Sequence, residues 1–160
     1  MNLVDIITAK PVLIGIHLGF AILAIDAFLW LLGEMRRTPW QLRHLRLTAF
    51  IGVLAYAISW LAGGYYYVKF YGTLVKPIIK ASEAPWVHNI VMETKEHIFL
   101  FIIPLAVTAA LIAWLKEEDW RALNIRRPSL ILVGFVSGLG LLIGLMGFII
   151  SASARWGGGA

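Results

Sequence analysis

The chain contains no cysteine. That excludes disulfides, thiolate metal sites, iron–sulfur clusters and the covalent attachment of a c-type haem, and leaves His, Asp, Glu, Tyr and Met as side-chain ligands. Charge is also scarce: 14% of the 160 residues are Asp, Glu, Lys or Arg, against roughly a quarter in a soluble domain. With 60% hydrophobic residues and a mean hydropathy of +0.82, the composition is that of a membrane protein. No phosphate-binding loop, nucleotide motif or nucleophile–base pair is present, which argues against a hydrolase or ATPase. The first ten residues lack a basic n-region, so the first apolar run is read as a retained span rather than a cleaved signal peptide.

The charge that remains is placed in blocks. Arg36, Arg37, Arg43 and Arg46 form one basic cluster and Arg121, Arg126 and Arg127 another, each between apolar runs. This is the loop pattern of the positive-inside rule, so the net charge of +5 points to a lipid bilayer and not to nucleic acid.

Hydropathy predicts an all-α membrane protein, a single integral membrane domain over 1–160. It has four spans at about 11–33, 47–68, 98–115 (with a helical extension from 86) and 128–154. Their connections suit an antiparallel four-transmembrane-helix bundle. The apolar–basic alternation between 69 and 85 predicts an interfacial segment between the second and third helices. The basic counts place both termini outside an inner or plasma membrane. The fourth span carries Gly134, Gly138, Gly140, Gly144 and Gly147. Small residues at this spacing let helices approach closely, within the chain, with other membrane subunits or in a homo-oligomer.

The polar residues of the spans are the candidate functional groups. On an α-helix Asn89, Glu93 and His97 share a face, with Glu96 one step round. At 1.5 Å per residue from the basic side, His17, Tyr65, His97 and Met146 fall within about 3 Å of one depth, with Glu93 one turn outward. Asp26 stands alone in the inner half of the first span, a possible proton site with Ser59 as a candidate partner. His88 reads as interfacial and His44 as a solvated loop residue.

Three readings are open. In the first, His17 and His97 are the two axial ligands of a b-type haem, with room left by Gly15, Gly19, Gly63 and Gly64. At these residues the chain resembles the small four-helix membrane b-type cytochromes. The resemblance covers the four spans and implies one haem b, with Tyr65 and Met146 in the same layer. Glu93 or Glu96 would then bond a propionate-bound cation or support the ligands. In the second, His17, Glu93 and His97, with Glu96 or His88 as a fourth ligand, hold an iron, zinc or copper ion. In the third, the same residues fix helix ends and do no chemistry. The leading expectation is therefore a cofactor-bearing redox or electron-transfer membrane protein. Its alternatives are an accessory or assembly subunit of a larger membrane complex, and a small proton-coupled transporter using Asp26 and the Glu93/His97 cluster.

Overall fold

The computed structural model describes residues 2–158. It is helical throughout, with no strand among the described residues. A short α1 (Leu3–Ile7) opens the chain, capped by Asn2, whose side chain accepts from the Asp5 N–H at 2.9 Å. Four helices long and apolar enough to cross a membrane follow. They are Lys10–Arg36, Leu42–Ala81, Val87–Ala113 and Arg126–Gly157.

The first of these is α2 (Lys10–Arg36), with Pro11 in its first turn, where a missing N–H is harmless. At 27 residues it is about 40 Å long, enough to cross a bilayer core. The second begins as α3 (Leu42–Tyr66), passes into a π-helical stretch, Tyr67–Val75, and ends as α4 (Lys76–Ala81). The 69–85 segment, expected to lie at the membrane surface, is mainly helix and continues α3. Pro77 in the first turn of α4 cannot return a helical hydrogen bond to the turn before it. The wider π pattern lies directly upstream of that lost donor. Only residues 82–86 separate α4 from the next helix.

The third membrane-length helix opens with a second π-helical stretch, Val87–Met92, and continues as α5 (Glu93–Ala113). The charged connection that follows holds a short helix, α6 (Glu117–Ala122), whose Asp119 accepts from the N–H of Lys116 at 3.2 Å. The last helix is α7 (Arg126–Gly157).

Helix α2 packs along α3 and α7, and α5 also packs on both α3 and α7. The main apolar core among these four includes Phe28, Leu31, Met35, Tyr56, Ile102 and Val133. Close approach depends on missing side chains. A Cβ on Gly52 would lie 2.6 Å from the Phe28 ring, and one on Gly140 would overlap the Tyr56 hydroxyl. A second apolar cluster joins the two π-helical stretches, α4 and the end of α7 through Tyr71, Ile79, Val87, Val91, Met92 and Ile150. This cluster lies away from the arginine clusters, at the end that also carries Lys69, Lys76, Lys80 and Arg155.

Candidate functional site

The two π-helical stretches are joined through one pair of side chains. Tyr71, from the first, and His88, from the second, are each 2% exposed, and the Tyr71 hydroxyl lies 3.0 Å from His88 Nδ1. The other ring nitrogen, Nε2, is 3.9 Å from Glu93 Oε1. With an N–H on Nε2 directed at that carboxylate, Nδ1 is the acceptor and the phenol donates. Glu93 reaches His88 because of the π geometry. Residues five apart lie on different sides of an α-helix but are brought together where the helix widens to the i→i+5 pattern. Tyr67 stacks on Tyr71 with ring centroids 5.2 Å apart, and Glu96 lies beside the Tyr67 hydroxyl. Glu96 Oε1 is buried with no hydrogen-bond partner among the described residues. π-Helical turns are scarce and concentrate at functional sites, so two of them joined by a buried polar contact mark this end of the molecule.

A second polar locus lies between α2, α3 and α5. His17 Nδ1 is 2.9 Å from the Ser59 carbonyl oxygen, which can only accept, so Nδ1 carries the proton and Nε2 is the basic nitrogen of the neutral ring. Ser59 Oγ donates in return to the His17 carbonyl at 2.9 Å. The two helices are clasped in both directions. Gly63 makes the clasp possible, since a Cβ there would lie 2.6 Å from His17 Nδ1. From α5, the Phe99 ring stands 6.4 Å from the imidazole, and Lys95 is near enough for its charge to act on it. Lys95 is turned inward, with a Cβ built on Gly147 of α7 lying 3.7 Å from Nζ. It makes no ion pair among the described residues.

The structure therefore distributes the residues that the sequence placed at one depth. Lys95 and Phe99 are the α5 residues beside His17. His97, two positions from each, falls on the opposite side of that helix, where it is exposed and its Nδ1 donates to the Glu93 carbonyl at 2.6 Å. Tyr65 is exposed and accepts from Lys69 Nζ at 3.2 Å. Met146 packs against the second apolar cluster. His17, Tyr65, His97 and Met146 do not line one cofactor slot. No group of three or more His, Asp or Glu among the described residues could hold a metal ion, so the set of His17, Glu93, His97 and Glu96 is not assembled.

Asp26 is on the exposed side of α2, and Ser59, its expected partner, is engaged by His17 instead. His44 is half-buried rather than solvated, 3.8 Å from Glu34. Glu34, at 2% exposure, accepts from Trp30 Nε1 at 3.0 Å and pairs with Arg37 at 3.2 Å. Sequence reasoning thus assigns no site role to Tyr71, Tyr67 or Lys95, and reads His88, which is buried, as interfacial or as a fourth metal ligand. Their available signal was Tyr67 and Tyr71, four apart and followed by a proline-bounded histidine.

No family model, curated protein or solved structure matches the chain.

Proposed function

We propose that the four long helices form one antiparallel bundle in a lipid bilayer, with both termini outside, and that it is a small proton-coupled transporter. Protons would enter at the end bearing the π-helical stretches. The observation that carries this reading is the buried Tyr71–His88 contact, because it continues into a succession of ionisable and hydroxyl side chains. From Glu93 the succession runs through His88, Tyr71 and Tyr67 to Glu96 and Lys95, then to His17 and Ser59. Ionisable side chains within a span are expensive unless they pair, and those facing the interior are the usual components of proton relays. The apolar core around Phe28, Leu31 and Met35 occupies the region towards the basic end. This supports a pathway open at the outer half and closed at the inner. The position of Arg36, Arg37, Arg43, Arg46, Arg121, Arg126 and Arg127 supports the orientation.

Asp26, expected as a proton site, stands off this path. Its exposure on α2, with that of Gly138 and Gly144 on α7, supports contacts with other membrane subunits or a second copy.

A second reading keeps His17 as a ligand of haem b or of an iron, zinc or copper ion in a redox protein. It is favoured by the Nδ1–H bond to the Ser59 carbonyl, the arrangement that orients a ligating imidazole and presents Nε2. In this reading the second ligand comes from a residue other than His97.

The proton route of this reading is tested by acidifying the outside of proteoliposomes that contain a trapped pH dye. Internal acidification faster than in protein-free vesicles supports it, and equal rates refute it.

A further inference from the structure

A cavity of about 350 Å³ opens at the basic end of the molecule, away from the polar succession described above. Its walls include Trp40 from the α2–α3 connection, Glu117, Trp120 and Arg121 from α6, Asn124, and Arg126 at the start of α7. The local sequence builds it firmly. Helix α6 ends in a Schellman motif, with the Ile125 N–H returning to the Trp120 carbonyl and the Asn124 N–H to that of Arg121, at 3.4 and 3.2 Å. Asn124 takes the left-handed conformation this turn requires, at φ 51°, a conformation asparagine tolerates better than most residues.

Trp120, 2% exposed, donates from Nε1 to the Ile112 carbonyl at 3.1 Å and meets Trp40 edge-on at 4.8 Å. Arg126 lies 5.4 Å over the Trp40 ring and donates to the Arg36 carbonyl at 3.2 Å, so its guanidinium is oriented. Arg121 pairs with Glu117 along α6. Two guanidiniums against one carboxylate leave the lining with one net positive charge.

We infer that this cavity binds the phosphate headgroup of an anionic phospholipid, with Arg121 and Arg126 facing the phosphate and Trp40 and Trp120 walling it. A guanidinium offers paired donors to phosphate oxygens, and an indole suits the level where headgroup meets acyl chain. The cavity lies at the ends of membrane-length helices, beside Arg36, Arg37 and Arg127. Basic pockets between membrane helices on such a side are headgroup sites. A free phosphate would satisfy the same guanidiniums but would have no use for the two indoles.

The test measures lipid binding to the purified full-length chain in neutral detergent by native mass spectrometry. Phosphatidylglycerol, phosphatidylcholine and inorganic phosphate are added separately. The proposal expects phosphatidylglycerol to bind more tightly than phosphatidylcholine. Arg121→Gln and Arg126→Gln should each weaken it about fivefold. Arg43→Gln, an exposed member of the neighbouring basic cluster outside the cavity, should leave it unchanged. Arg121 is exposed, so its replacement does not threaten the fold. Unaltered binding in Arg121→Gln and Arg126→Gln, or an equal loss in Arg43→Gln, overturns the site. Inorganic phosphate that displaces phosphatidylglycerol completely overturns the lipid assignment in favour of a soluble anion.

Discussion

The Tyr71 hydroxyl and His88 Nδ1 are 3.0 Å apart, each on a π-helical stretch and each almost fully buried. The contact ties the extension of α3 to that of α5, with Ile79, Val91 and Ile150 packed around it. Removing the phenol oxygen leaves a buried imidazole nitrogen without a partner. Tyr71→Phe should therefore lower stability by about 1–3 kcal/mol. Denaturant unfolding in mixed micelles measures this, and an unchanged midpoint would show that the contact contributes nothing.

Gly63 and Gly64 are neighbours with opposite surroundings. A Cβ on Gly63 would enter the His17 ring, while one on Gly64 would meet nothing within 4 Å. Gly63→Ala should force His17 out of its exchange with Ser59 and destabilise the α2–α3 pairing by about 1–3 kcal/mol. Gly64→Ala should be neutral or slightly stabilising, since alanine favours helix. Equal behaviour of the two in the same unfolding assay would contradict the clasp.

The two readings of His17 separate by spectroscopy. If His17 holds a haem, the purified protein has a Soret band and sharpened α and β bands on dithionite reduction. Both should vanish in His17→Ala and persist in His97→Ala, because His97 lies across α5 from the site. Equal loss in the two variants would restore the pair of axial ligands expected from the sequence. Stoichiometric iron, zinc or copper without a Soret band would instead favour a bare ion.

The four membrane-length helices were legible because apolar runs of that length have few other uses, and Pro11 and the arginine clusters mark their ends. The polar site was only partly legible. Counting along a regular α-helix pairs Glu93 with Asn89 and His97; His97 keeps that spacing within α5, but the π-helical turn at Val87–Met92 breaks the register upstream and brings Glu93 to His88 in place of Asn89. The same count set Lys95 aside, although it is the α5 residue directed at Gly147 and His17. Equal depth is a necessary condition for a shared site. It is not sufficient, because rotation about each helix axis decides which side chains meet. Asp26 illustrates this: only the packing of α3 shows that Ser59 is already taken and that Asp26 faces outward.

The most direct test of the proposed proton route is the rate of internal acidification in proteoliposomes after an external acid step, with potassium and valinomycin clamping the potential. The account predicts that the wild-type chain acidifies the lumen several times faster than protein-free vesicles. His88→Ala and Lys95→Met, each folded by circular dichroism, should fall to the protein-free rate. A wild-type rate equal to that of empty vesicles, or variants as fast as wild type, would contradict it.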